Sequence, residues 1–217
     1  MSIGVMIGII TAGNLDIRCV NSLIATAQLE AAEIVIQQNG PYLDMARNKM
    51  VDIFRDDEQY AHCDRLLFVD SDIGFNPAHI QTLVDTDLPI VAGVYHSLFD
   101  TGIHPVVYEW TVNDEGVRVM VPLKHWNRPE GEILVPVEGV GTGFLMIHRS
   151  VFERFLEVYS APTAWFANEI VDGVELGEDL GFCYRAAELG IPIVVNRNVQ
   201  VSHSKMIVLQ GPYQSTQ

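Results

Sequence analysis

The sequence predicts an α/β protein: a layered fold around a largely parallel sheet, with a small antiparallel insertion. Three observations carry this expectation. Short apolar runs alternate with stretches of helical period up to Val94. From about residue 95 to 140 the rhythm changes to brief strand-like runs separated by turn residues. The apolar run Leu66-Leu67-Phe68-Val69 leads directly into Asp70-Ser71-Asp72, which puts two carboxylates at a sheet rim, where open α/β folds bind ligands.

Ile3 to Ile10 is apolar and reads as a first strand, closed by Thr11-Ala12-Gly13-Asn14. It has neither a basic leader nor a cleavage pattern, so a signal peptide is not expected. Asp16 is placed to cap a helix running to about Ala31, with Ile17, Val20, Leu23, Ile24 and Ala27 at helical spacing. Glu33 to Gln37 reads as a second strand, and Asn39-Gly40-Pro41 breaks the chain. Leu43 to Phe54 has a helical pattern, the Leu66–Val69 strand follows, and Pro77 suits the first turn of the next helix. Ile90 to Val94 is strand-like. Val106 to Trp110, Val117 to Leu123 and Ile133 to Val137 make up the expected insertion, a candidate lid, with Asn113–Gly116 and Arg128–Gly131 as its turns. Gly143 to Ile147 returns to strand, and Val151 to Val158 reads as helix. Ala161 to Val174 lacks periodicity and reads as a loop. Leu180 to Leu189 reads as a helix ended by Gly190 and Pro192. Ile193 to Val195 and Val199 to Val201 are two closing strands.

The 217 residues fit one domain, 1–217. Their 48% hydrophobic and 19% charged content describes a globular chain. A net charge of −15 disfavours nonspecific adhesion to nucleic acid or anionic membrane. A nucleic-acid partner would need a local basic groove, for which Arg47, Lys49, Arg185 and Arg197 are the candidates. Three scattered cysteines, Cys19, Cys63 and Cys183, suggest a reducing, cytoplasmic setting. No run reaches transmembrane length.

Five constellations carry chemistry. Asp70 and Asp72 repel each other unless a cation lies between them, and Mg²⁺ or Mn²⁺ completed by substrate phosphates is the usual solution. The alternatives for this pair are a solvated loop or a helix cap. A haloacid-dehalogenase-type phosphatase fits poorly, because Ile73-Gly74-Phe75 stands where Thr or Ser is needed. Glu178 and Asp179 open a helix, either offsetting its dipole or supplying a general base. His203 ends a strand and would add an imidazole to the metal set, a donor suited to Mn²⁺. Gly141 and Gly143 let backbone approach a ligand or simply form a strand-entry turn; they match neither a P-loop nor G-x-G-x-x-G. Arg47 lies on an apolar-patterned helix, facing phosphate, base or solvent. Trp110, Trp126 and Trp165 could stack on a sugar or pack in a core or lid.

Taken in order, Ile9–Gly13, Ala46-Arg47-Asn48, Leu67–Asp72, Gly141–Phe144, Gly177-Glu178-Asp179 and Val201-Ser202-His203 resemble a GT-A-fold glycosyltransferase of the family-2-like, D-x-D-containing kind. The resemblance spans nearly the whole chain. It implies a Rossmann-type layered sheet and a UDP- or GDP-sugar donor bound beside Mn²⁺ or Mg²⁺. It makes Asp72 and His203 metal ligands, and Asp70 a metal ligand or a partner of the donor ribose. It also brings Thr11, Ala12 and Arg47 near the nucleotide, with Gly141 and Gly143 beside the donor. Asp179, with Glu178 next to it, matches the catalytic base of inverting members, and inversion is favoured over retention. The acceptor would be a hydroxyl of a saccharide, small molecule or protein. Two other readings stand beside this one. A metal-dependent nucleotidyltransferase would show a basic Gly-rich N-terminal loop, which Thr11–Asn14 lacks. A catalytically silent sugar- or nucleotide-binding module would not need Asp179 for binding.

Overall fold

The computed structural model of the chain describes residues 4–28, 32–38, 42–123, 131–159 and 165–205. Trp126 and the Arg128–Gly131 turn up to residue 130 lie outside these ranges.

The first half alternates as expected. β1 (Val5–Thr11) leads to α1 (Ile17–Ala27), whose N-terminus is capped by the Asp16 carboxylate accepting from the Arg18 N–H. β2 (Ala32–Gln38), α2 (Leu43–Asp56) and a 3₁₀ turn (Glu58–Tyr60) precede β3 (Arg65–Asp70) and the two-residue β4 (Ile73–Gly74). Asn76 caps α3 (Pro77–Thr86), with Pro77 in its first turn, and β5 (Ile90–Val94) follows. Two hairpins then fill the insertion: β6 (His96–Phe99) with β7 (Gly102–Pro105), and β8 (Val107–Val112) with β9 (Arg118–Pro122). β10 (Leu134–Val137), β11 (Gly139–Val140) and β12 (Phe144–His148) lead into α4 (Arg149–Leu156). The stretch expected as a loop carries a small hairpin, β13 (Glu169–Val171) with β14 (Val174–Leu176). α5 (Glu178–Glu188) precedes β15 (Ile193–Gln200) and β16 (Ser202–His203).

The main sheet has seven strands in the order β10-β15-β5-β12-β3-β1-β2. β1 runs parallel to β2 and β3, and β15 runs parallel to β5. β12 is antiparallel to both its neighbours, β3 and β5. The reason is topological. β5 ends at the carboxyl rim, the insertion follows it, and the chain re-enters the sheet from that same rim. Leu134–Val137, grouped by sequence with the insertion, instead forms the sheet's edge, antiparallel to β15. The two expected closing strands are one, β15, whose pairing with β5 shifts register between Val195 and Gln200.

Side-chain alternation divides the core between the two faces of the sheet. Met6, Ile10, Leu66 and Phe68 pack on one side with Met50, Phe54, Phe152 and Phe182 from the helices. Val5, Ile7, Ile9, Leu67 and Val69 face the other, with Cys19, Leu23, Ile80 and Leu83. Trp165 is fully buried, which makes it a core residue with no face for a sugar. Among the described residues no helix is long and apolar enough to cross a membrane.

Candidate functional site

The carboxyl rim of β3 carries Asp70, and the turn after it carries Asp72. The β4–β16 ladder pairs Ile73 with His203 and so brings a residue far along the chain against the turn. His203 Nε2 lies 3.2 Å from Asp72 Oδ2, and Lys205 Nζ lies 2.9 Å from the same oxygen. Burial pushes the Asp72 pKa up, but the bonds and charges of His203 and Lys205 overcome it and hold it down at about 2. His203 Nδ1 faces the carbonyl of His96 at 2.8 Å. A carbonyl only accepts, so Nδ1 carries the proton. Nε2 therefore meets the Asp72 carboxylate either as a second N–H or with a cation shared between them. A carbonyl anchor on one ring nitrogen is what orients a metal-ligating histidine through the other.

Asp70 turns elsewhere. Its Oδ1 lies 3.6 Å from Arg47 Nη2, and Arg47 Nη1 pairs with Glu178. Arg47 is only 4% exposed. Burial alone would lower its pKa, but Asp70, Glu178 and Asp179 raise it further and keep the guanidinium charged. Asp179, beside Glu178 in the first turn of α5, accepts from the Leu180 N–H at 2.9 Å. Its pKa is raised: burial and the Glu178 charge outweigh the attraction of Arg47.

Backbone closes the space between these groups. The Asp70 N–H donates to the Gly143 carbonyl at 3.0 Å, and the Gly143 N–H donates to the buried Tyr95 hydroxyl at 3.2 Å. A Cβ on Gly141 would overlap Tyr95 Oη, and one on Gly143 would lie 2.8 Å from Tyr95 Cζ and 3.1 Å from Asp70 Oδ2. Burial, then the Asp70 charge, holds the Tyr95 pKa well above its usual value, so the phenol keeps its proton. Its ring meets His203 edge-on, with centroids 5.2 Å apart.

No protein-family model and no curated protein matches the sequence. Solved structures do match in fold. A197 from STIV superposes with a TM-score of 0.57 at 20% identity, over 93% of this chain and 86% of that one. GalNAc-T7, solved with UDP, GalNAc and Mn²⁺, superposes with a TM-score of 0.53 at 12% identity over 92% of this chain. This chain has a GT-A-like fold. It matches only 43% of the GalNAc-T7 chain, so it spans less than half of that protein.

Within the GT-A-like fold, the expected metal set is not gathered as one group. Asp72 and His203 meet, whereas Asp70 faces Arg47, and among the described residues no three His, Cys, Asp or Glu side chains form a metal cluster. One carboxylate oxygen and one imidazole nitrogen do suit a Mn²⁺ or Mg²⁺ ion that takes its remaining ligands from phosphate and water. Thr11 ends β1 and Ala12 begins the loop after it, which the Asp16 N–H ties to the Ser71 carbonyl at 2.9 Å. The Thr11 hydroxyl donates to the Asn14 carbonyl and accepts from the Gly13 N–H, while Ala12 is exposed. The candidate basic groove does not form. Arg47 is held by the acids above, Arg185 by the Trp165 carbonyl and Glu169, and Arg197 by the Glu132 carbonyl. Lys49 borders an open cleft lined by Asp52, Asp56, Asp57 and Glu58. Trp110 is covered by Arg118, whose guanidinium carbon lies 4.2 Å from the ring centroid.

Sequence reading missed two residues of this site. Lys205 stands two positions after His203, and that strand-like spacing was the available signal. Tyr95 follows the apolar strand β5 and gave no signal of its own.

Two predictions follow from the packing. Gly141→Ala must displace the buried Tyr95 ring, and urea denaturation is expected to show a loss of about 1–3 kcal/mol. Asp179 ionises later in the folded chain than in the unfolded one. Its cost to stability is therefore absent at low pH and grows as pH rises from the unfolded pKa of ~3.9 through the raised folded value. Asp179→Asn is expected to melt above the parent at neutral pH, with the gap closing towards about pH 3. A gap that does not vary with pH would contradict the raised pKa.

Proposed function

We propose that the chain is a glycosyltransferase that moves a sugar from a UDP- or GDP-sugar to an acceptor hydroxyl. One observation carries this reading. A single buried guanidinium, Arg47, joins Asp70 at the end of β3 to Glu178 at the start of α5, where Asp179 also feels its charge, and Asp72 two residues on from Asp70 meets His203. The arrangement supports reading these carboxylates as cation-holding and proton-accepting groups around one sheet rim. The UDP, GalNAc and Mn²⁺ of the GalNAc-T7 structure are the ligand class that this reading brings to the chain.

Asp72 and His203 would hold Mn²⁺ or Mg²⁺, with Asp70 at the donor ribose or as a further ligand. When bound, the ion supplies Lewis-acid stabilisation of the charge left on the departing diphosphate. Glu178 fixes Arg47, and Arg47 in turn fixes Asp70. Gly141 and Gly143 keep side chains out of the space above Asp70, and Thr11 and Ala12 border the nucleotide. Asp179 acts as general base: it takes the acceptor hydroxyl proton as the new oxygen–carbon bond forms and the sugar–phosphate bond breaks. The bonding electrons leave with the diphosphate, and direct attack of this kind inverts the anomeric centre. A raised pKa improves Asp179 as a base at neutral pH. The acceptor is a saccharide, a small molecule or a protein. The net charge of −15 and the dispersed arginines disfavour nucleic acid. Three free, buried cysteines fit a cytoplasmic setting.

The decisive experiment is thermal melting with a panel of nucleoside diphosphates and nucleotide sugars, with and without Mn²⁺. The expected outcome is a rise for one base class that requires Mn²⁺ and disappears in Asp72→Ala, because a ligand that binds only the folded state raises its melting temperature. No shift across the panel would remove the donor assignment. Asp179→Asn is expected to keep the donor-induced shift while losing about 100-fold or more in turnover. Parent-like turnover would exclude Asp179 as the base.

A further inference from the structure

Lys205 is the group at this rim that the proposed chemistry does not use. The chain leading to it is anchored on both sides of the Asp72 turn. Ser202 Oγ donates to the Gly74 carbonyl at 3.1 Å, the Ser204 N–H donates to the Asp72 carbonyl at 2.9 Å, and Arg18 Nη1 donates to Ser204 Oγ at 2.8 Å. Those contacts aim Lys205 at the Asp72 oxygen that also faces His203. That oxygen is where a cation shared by Asp72 and His203 would bind. A divalent ion there and an ammonium on the same atom are like charges at contact distance, and they repel. The Lys205 side chain is 48% exposed, so its ammonium can return to water at little cost.

We propose that Lys205 is a built-in counter-ion that competes with the divalent cation for Asp72, so that loading the metal requires the ammonium to leave. The inference rests on the reading of Asp72 and His203 as cation-holding residues. It gives the metal-free form a neutralised Asp72 without recruiting Asp70, which Arg47 already holds. It also makes metal loading and Lys205 release reciprocal, since each must favour the other by the same factor.

The test is a Mn²⁺ titration of the full chain without nucleotide, following free Mn²⁺ by electron paramagnetic resonance. Lys205→Ala is expected to bind Mn²⁺ about three- to five-fold more tightly than the parent, the range for loss of a partly exposed ion pair. Lys205→Arg keeps the charge and is expected to stay near the parent. In a second measurement, Mn²⁺ is expected to speed acylation of the Lys205 amine, read by mass spectrometry, while Asp72→Ala is acylated quickly with or without Mn²⁺. Equal or weaker Mn²⁺ binding in Lys205→Ala would overturn the competition and leave the metal reading standing. Absence of Mn²⁺ binding in both parent and Lys205→Ala would overturn the competition, which concerns the nucleotide-free rim, while the metal reading stands or falls on the Mn²⁺-dependent melting shift with nucleotide.

Discussion

A charged guanidinium with 4% of its surface exposed is tolerable only if opposite charges come to it, and Arg47 sets that condition for the whole rim. It sits in the middle of α2, so α2 must lie against both the end of β3 and the start of α5. The three acids it draws in would repel one another without it. The Arg47 Nε is a buried polar atom with no hydrogen-bond partner among the described residues, so the network is electrostatically dense but not fully bonded. The same guanidinium holds Asp70 away from Asp72. The adjacent acids thereby acquire different partners, Arg47 for one and His203 with Lys205 for the other.

Topology supplies the rest of the rim. Because β12 runs back from the carboxyl edge, Gly141–Gly143 arrive beside Asp70 instead of at the far end of the sheet, and the Asp70 N–H to Gly143 carbonyl bond fixes their height. Two glycines are required there because the Tyr95 ring occupies the space that any Cβ would need. Tyr95 in turn supports the His203 ring, and its neighbour His96 accepts the Nδ1 proton. A two-residue ladder at the end of the chain can orient a functional imidazole because β5, β12 and the insertion together supply its backing.

Local pattern made much of this legible. The helices at Ile17–Ala27 and Leu43–Asp56, the cap at Asp16, the strand before Asp70 and the acids opening α5 follow from periodicity and capping chemistry that act within a few residues. What stayed hidden depends on distant partners. Leu134–Val137 has the same local character as the insertion strands, and only pairing with β15 assigns it to the main sheet. Asp70 pairs naturally with Asp72 in the sequence, and only the fold brings Arg47, from α2, against its carboxylate. The apparent gap between Ile193–Val195 and Val199–Val201 is a register shift in a continuous strand, caused by polar residues that read as a break. Lys205 and Tyr95 matter only through residues far away in sequence.

The rim therefore holds its carboxylates at two levels of commitment. Around Arg47 a buried guanidinium ties two partly exposed carboxylates together, and withdrawing them would leave that cation unpaired in a low-dielectric setting, so that half is firmly held. Asp179 belongs to this half, and its raised pKa is the stability cost of holding a carboxylate where burial and the Glu178 charge disfavour its ionised form. Around Asp72 the buried His203 ring and the half-exposed Lys205 ammonium converge on a single oxygen, and the ammonium can exchange for another cation at small cost. The proposed transferase would use both properties. The group that receives a proton has to be fixed against the acceptor through the reaction, whereas the place that holds the departing diphosphate has to fill and empty once per turnover. Putting the D-x-D acids on opposite sides of that divide lets one short turn serve both demands.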